Sequence, residues 1–583
     1  MKPGSEFGLK TRLGRIEINE HVFISIIAIL IGVAAGYGAV VFRFAIKGAQ
    51  YLFYQNTADF LEFQRQVPFY LKILLPGLGG LIVGPMIYYW AREAKGHGVP
   101  EVMEAVAVKG GRIRPRVSLV KILASGLSIG CGGSVGREGP MVQIGASVAS
   151  TVGQLLKVTQ DRQRTLVGCG AAAGIAATFN APIAGVLFSV EILLSDFGVA
   201  TFSPIVLSSV MATTISRHFF GDFPAFIVPH YELVSYWEFF FYGIIGLFTA
   251  LVSILFIRCL YKSEDMFEAL PIHEVFRTAL GGIIAGCIIV AFPHVFGVGY
   301  GAINRSLMGH MTVQMLFVLI FVKIVATSIT LGAGMSGGIL APSIFIGAMT
   351  GGFFGSIFHQ VFPEITASSG AYALVAMGGL VSGTTQAPIT AILIIFELTS
   401  DYKIILPLMT TCIISALLST YLQEGSIYTI KLMRRGISLY KGMEQSVLRN
   451  IQVRDVMRED VVTIPEDLHL GEIFEMFKRY NVSYLPLVNS EGELAGIISF
   501  RDLRSVLNEN SLRKITKAKD LATRQVITVS KSENLKRALQ KMGQKGVSQL
   551  PVVEEDNPRK LVGVVHEKDI IAAYNRETLR FEW

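Results

Sequence analysis

The sequence predicts a multi-span α-helical membrane protein with broken and half-spanning helices, built from two repeated halves and joined to a soluble α/β tail. Three observations point there. Of the 583 residues, 51% are hydrophobic and 16% charged, against about 25% charged in a soluble domain, and the mean hydropathy is +0.51. Glycine- and proline-bearing motifs recur at matching places in the apolar part. After Arg435 charges become dense, apolar runs shorten, and a second, different repeat begins.

The elements follow in order. Residues 1–19 form a polar segment carrying Lys10, Arg12 and Arg15; Gly4-Ser5-Glu6-Phe7 reads equally as a native start or a cloning remnant. No cleavable leader is expected, because the chain starts polar and its first apolar run is full length. Val22 to Phe42 contains no Asp, Glu, Lys or Arg, and about 20 such residues span a bilayer. Comparable stretches lie near 71–90, 117–132, 202–215, 236–257, 278–295, 313–332, 339–361 and 403–422, whereas 165–194 and 371–396 are short or interrupted. Lys431, Arg434 and Arg435 follow the last run. Basic residues near span ends favour the cytoplasm, so both termini are expected there and the number of crossings is even. The net charge of +8 thus belongs to topology, not to nucleic acid. Five cysteines show no Cys-x-x-Cys pairing, which argues against a zinc site or disulfide framework; they read as small buried packing residues.

The strongest functional signal is Gly136-Arg137-Glu138-Gly139-Pro140 inside an apolar, glycine-rich stretch. An ionisable pair at membrane depth marks an ion path or proton relay by default. Broken backbone there is tolerated only where it lines a cavity or packs in protein. This motif has a partner in Gly338-Ile339-Leu340-Ala341-Pro342; Pro140 and Pro342 are 202 positions apart, and each is followed five residues later by glycine. Asn180-Ala181-Pro182-Ile183 likewise pairs with Gln386-Ala387-Pro388-Ile389, 206 positions on, and a lone glutamate, Glu191 or Glu397, follows nine residues after each proline. Paired halves with interrupted apolar segments point to a transporter whose substrate site lies between the halves. Helix N-termini carry partial positive charge and free N–H donors, so several converging would bind an anion.

Gly96-His97-Gly98-Val99-Pro100, Gly136–Pro140 and Gly338–Pro342, in this order and spacing, resemble the CLC family of chloride channels and chloride/proton exchangers over roughly residues 20–435. The resemblance implies a CLC-type membrane domain of two inverted repeats, about 20–220 and 230–435, that assembles as a homodimer in the lipid bilayer. It implies that Glu138 is a gate whose carboxylate enters the anion site when deprotonated. It implies anion contacts from His97, Gly98, Val99, Arg137, Gly139, Ile339 and Leu340, with the Tyr428 hydroxyl facing the ion. His97 stands where chloride-selective members often have serine, and either donates an imidazole N–H or points away; the methionine of fluoride-selective relatives is absent. Ile192 occupies the position of the exchangers' inner proton glutamate and cannot carry a proton, while Glu191 matches the preceding glutamate of that pattern.

The tail repeats at an offset of 65: Asp455-Val456-Met457 as Asp520-Leu521-Ala522, and Val482–Val488 as Val547–Val553; Gly496–Asp502 recurs as Gly563–Asp569 at 67. Short β-rich runs alternate with amphipathic helices such as Leu470–Tyr480 and Asn534–Lys545. After a linker at 436–449, this resembles two CBS domains, 450–509 and 516–575. The resemblance implies an adenine nucleotide (ATP, ADP or AMP) held by Ser499 and Asp502 and by Asp569, with His566 replacing the second unit's Ser/Thr; a purely structural pair is the alternative.

The functional expectation is gated, passive chloride conduction, with chloride/proton antiport as the alternative within the family and other anions open. The membrane part has neither His-Glu-x-x-His nor Gly-x-Ser-x-Gly, and Glu138 has no evident nucleophile partner, so no enzyme, metal site or required cofactor is expected. A magnesium transporter with a CBS sensor is the rival of another class; it would need a membrane carboxylate cluster, which the sequence lacks.

Overall fold

The computed structural model describes residues 11–13, 16–18, 20–222, 226, 233–399, 401–437, 448, 451–480, 482–503 and 516–580. Residues 4–7 and most of the expected linker lie outside these. Two compact units divide between Arg435 and Gly436.

In the first unit a small hairpin, β1 (Thr11–Leu13) and β2 (Ile16–Ile18), precedes α1 (Glu20–Tyr54). Then come α2 (Phe60–Phe63), α3 (Phe69–Pro85), α4 (Val99–Ala107), α5 (Arg116–Gly130), α6 (Glu138–Leu155), α7 (Gln160–Phe179), α8 (Pro182–Leu187) and α9 (Val199–Phe220). The second half supplies α10 (Glu238–Ala269), α11 (Glu274–Ala291), α12 (Tyr300–Leu307), α13 (Val313–Gly332), α14 (Leu340–Val361), α15 (Ser369–Thr385), α16 (Pro388–Thr399), α17 (Ile405–Leu422) and α18 (Thr429–Arg434). Eight helices among the described residues are long and apolar enough to cross a membrane. The run near 117–132 forms α5, which is too short to be one of them. Of these eight, α14 is the most enclosed, with 78% of its apolar window buried.

The interrupted stretches break where backbone chemistry dictates. Asn180 and Gln386 adopt left-handed conformations, φ 59° and 56°, and end α7 and α15. Pro182 and Pro388 then open α8 and α16, where a missing N–H costs nothing. The remaining free N–H groups are capped across the repeat. Glu397, on α16, accepts from Ile183 N at 3.0 Å and Ala184 N at 2.7 Å at the start of α8. Glu191, in the π-helical turn Phe188–Leu194 that continues α8, accepts from Ile389 N, Thr390 N and the Thr390 hydroxyl at 3.3, 2.7 and 2.6 Å. The two lone glutamates of the repeat therefore cap each other's helices. Three of the five cysteines are buried, but Cys259 is intermediate and Cys287 exposed, because a membrane-facing surface admits small apolar residues as a core does.

In the second unit β3 (Ile464–Pro465), β4 (Tyr484–Val488) and β5 (Leu494–Ser499) form one sheet, and β6 (Val529–Ser530), β7 (Gln549–Val553) and β8 (Leu561–His566) another. The first two strands of each run parallel and the last two antiparallel, with Leu485 opposite Ile498 and Leu550 opposite Val565. Helices Leu470–Tyr480 and Leu535–Lys545 cover them, burying Ile473 and Phe477, and Ala538 and Met542. Asn534 is the N-cap of the second, accepting from Arg537 N at 3.0 Å. The lead segments are exchanged: Arg458 exchanges backbone bonds with Val564 on β8, and Thr523 with Ile497 on β5.

Loss of a cap costs about 0.5–2 kcal/mol. Glu397→Ala is therefore expected to lower the detergent-solubilised protein's resistance to heat, measured by the monodisperse fraction left after a temperature ramp, and Glu397→Gln to lower it less.

Candidate functional site

Four helix starts converge where the halves meet. The loops before them are joined by backbone bonds: Gly136 N donates to Gly338 O at 2.7 Å, Gly338 N to Gly136 O at 2.6 Å, and Gly337 N to Gly96 O at 3.3 Å. Gly96 and Gly98, with φ of +73° and +83°, turn the chain into α4, a conformation cheap only for glycine.

Two fully buried lysines hold two of these loops. Lys121 of α5 donates to Ala94 O at 3.0 Å and Gly96 O at 2.9 Å. Lys323 of α13 donates to Val295 O at 3.3 Å and Gly297 O at 3.0 Å, before α12. They are repeat mates, 202 positions apart. The pattern analysis missed them, although their spacing equals that of Pro140 and Pro342.

Glu138 is the first residue of α6 and fully buried. Its carboxylate lies beside its own backbone N–H and that of Ala341 in the first turn of α14, the Tyr300 hydroxyl donates to Oε1 at 3.3 Å, and Oε2 has no hydrogen-bond partner among the described residues. A negative side chain thus occupies the meeting point of two helix N-termini, one from each half, where partial positive charge favours an anion.

The other expected site residues surround this point. Arg137 is the N-cap of α6, but its guanidinium turns aside: it donates to Thr178 O at 3.4 Å and lies 5.3 Å from the Tyr300 ring centroid. Gly139 has no room for a side chain, because a Cβ there would collide with the carbonyl oxygen of His97. Gly98 is the N-cap of α4 and Val99 its first residue; Ile339 caps α14 and Leu340 opens it, both 2% exposed. His97 is 4% exposed and its Nδ1 has no hydrogen-bond partner. Its ring centroid lies 5.8 Å from that of Tyr428, the buried N-cap of α18, against which Phe188 packs edge-on at 6.4 Å. Ile192 is buried, and Glu191 is committed to the start of α16. A cavity of about 380 Å³ lies beside α4 and α18, rimmed by six basic and five acidic residues, in which Glu101 pairs with Lys431 at 3.2 Å and Arg435 at 3.1 Å.

The family signature for voltage-gated chloride channels matches residues 79–420, and the CBS signature matches 453–509 and 518–576. The chain belongs to the voltage-gated chloride channel family. It is 35% identical over 412 residues to a ClcB-like chloride channel protein of Ralstonia nicotianae, covering 70% of this chain and 96% of that one. It is 32% identical to the H(+)/Cl(-) exchange transporter ClcA of Vibrio vulnificus, over 72% and 91% of the two chains. Among solved structures it resembles a slow cyanobacterial Cl-/H+ antiporter, with TM-score 0.65, 27% identity, and 71% and 97% of the chains covered. A eukaryotic CLC transporter, 20% identical with TM-score 0.64, shares the fold over 94% of this chain and 98% of its own. This family membership sets the magnesium-transporter alternative aside.

In the second unit the expected nucleotide residues are engaged internally. Asp502 accepts from Ser499 N at 2.8 Å and its hydroxyl at 2.7 Å. Asp569 receives both arms of the Arg458 fork at 2.8 Å, and that guanidinium holds its carboxyl below the usual range. Burial lowers the His566 imidazole below its usual range.

Overpacking costs roughly 1–3 kcal/mol. Gly139→Ala, which drives a methyl into the His97 carbonyl, is expected to cut chloride flux at least about tenfold in reconstituted vesicles without loss of the folded protein on size exclusion.

Proposed function

We propose that this protein carries chloride across a membrane through one pathway per subunit, gated by Glu138. The observation that carries the reading is the Glu138 carboxylate seated against the N-termini of α6 and α14. One anion substitutes for another in a site made of N–H dipoles, and protonation removes the charge that keeps the carboxylate there. The assembly is a homodimer, with both termini and the CBS pair in the cytoplasm; Lys431, Arg434 and Arg435 at the last span support that side.

Passive conduction is the first reading, because Ile192 carries no proton and Glu191 is tied into a helix cap. Chloride/proton antiport is the second, favoured by the exchangers among the relatives. One experiment separates them. With a chloride gradient across proteoliposomes and pH recorded together, passive conduction moves no protons uphill. Uphill pumping that vanishes in Glu138→Gln establishes antiport. In either case Glu138→Gln is expected to pass anions with no pH dependence, and an unchanged pH profile would falsify the gate.

The CBS pair is proposed to bind an adenine nucleotide through Ser499, Asp502, His566 and Asp569. A carboxylate suits a ribose diol, and Arg458 suits phosphate once it releases Asp569. Hydrogen bonds to charged groups contribute about 1.5–3 kcal/mol, so Asp502→Ala or Asp569→Ala should weaken binding roughly tenfold or more. Calorimetry of the whole protein with ATP, ADP and AMP checks this; no heat with any of them at millimolar concentration leaves the pair a purely structural module.

A further inference from the structure

Three motifs mark helix starts around the anion site; the structure adds a fourth. Gly297-Val298-Gly299-Tyr300 repeats the backbone of Gly96-His97-Gly98-Val99. Gly297 and Gly299 have φ of +54° and +87°, against +73° and +83° for Gly96 and Gly98. Each turn feeds a short helix, and each is held by its buried lysine, Lys121 or Lys323. The difference lies in the first helical residue. Where α4 begins with Val99, α12 begins with Tyr300.

That substitution puts a phenol at the gate. The Tyr300 hydroxyl lies 3.3 Å from Glu138 Oε1, and it is the donor, since a carboxylate can only accept. The ring is gripped from two sides, by the Arg137 guanidinium at 5.3 Å and by Phe226 edge-on at 5.2 Å. Lys323 fixes the loop from which it projects.

We propose that Tyr300 is the latch of the gate: its hydroxyl holds the deprotonated Glu138 carboxylate in the anion site and sets the pH at which the site opens to chloride. This rests on the gate reading of Glu138. A hydrogen bond donated to a carboxylate favours its charged form, so the latch opposes release by protonation. The other groups facing Glu138 are Arg137 beside it, Lys323 from α13, Tyr428 from the start of α18 and the Ala341 N–H from α14; Arg43 of α1 stands behind Arg137 and Tyr300. Among the described side chains, Tyr300 is the one hydrogen-bonded to the carboxylate.

Chloride efflux from proteoliposomes is measured against pH for the natural protein, Tyr300→Phe, Glu138→Gln and the double variant. Tyr300→Phe keeps the ring and removes one oxygen. It is expected to move the midpoint of transport to higher pH by about half to one unit, the size expected of a long hydrogen bond to a charged group. It should change nothing further in the Glu138→Gln background. Site-specific 3-fluorotyrosine at 300, a stronger donor of the same shape, should move the midpoint the other way and tests the latch if Tyr300→Phe does not fold. A pH profile unmoved by Tyr300→Phe, beside a flat Glu138→Gln profile, overturns the latch and leaves the gate. An equal change in both backgrounds marks Tyr300 as merely structural. A Glu138→Gln profile like that of the natural protein overturns the gate itself.

Discussion

The membrane unit depends on two backbone hydrogen bonds between Gly136 and Gly338. They join the loops before α6 and α14, one from each half, and so fix the distance between the two helix N-termini whose N–H groups meet the Glu138 carboxylate. A side chain on either glycine would disturb the site. A Cβ at Gly136 would strike the Glu138 carboxylate, and one at Gly338 would press on Gly139 N at 2.8 Å. Helix N-termini carry partial charges of the same sign and do not attract one another, so the scaffold must hold them together.

The scaffold does this with polar groups that are expensive to bury. Lys121 and Lys323 are fully buried and end on carbonyl oxygens of the loops. Glu191 and Glu397 end on the N–H groups of α16 and α8. The two lysines are buried and the two glutamates half-buried; a polar group out of water needs hydrogen-bond partners, and here each finds them in backbone that a broken chain leaves open. The broken helices and these polar side chains are thus one device. The former expose the dipoles that an anion needs, and the latter satisfy the backbone exposed elsewhere.

The tail applies a similar principle in water. Each repeat's lead segment pairs with the other repeat's sheet, through Arg458 and Val564 and through Thr523 and Ile497. Neither half completes its own sheet edge, so the two CBS repeats form one unit. Arg458, placed by this exchange, then reaches Asp569.

Much of this was legible in the chain. Composition determined the membrane class, since apolar runs of about 20 residues have no other stable setting. The spacing of Pro140 and Pro342, and of Pro182 and Pro388, determined the two halves, because a proline suits the first turn of a helix, where its missing N–H costs nothing, and so marks matching helix starts. The offset of 65 determined the paired tail repeats. Partners distant in sequence were decided only by the tertiary structure. Glu191 and Glu397 carried the right spacing, yet spacing does not say that each caps the other's helix. Lys121 and Lys323 stand as charges in apolar runs, and the chain alone does not name the loops they hold. Tyr300 had no signal beyond Gly297-Val298-Gly299, a faint echo of Gly96-His97-Gly98. Its contact with Glu138 spans 162 positions. Local chemistry sets where a helix breaks; only the packing of the two halves sets what the broken ends face.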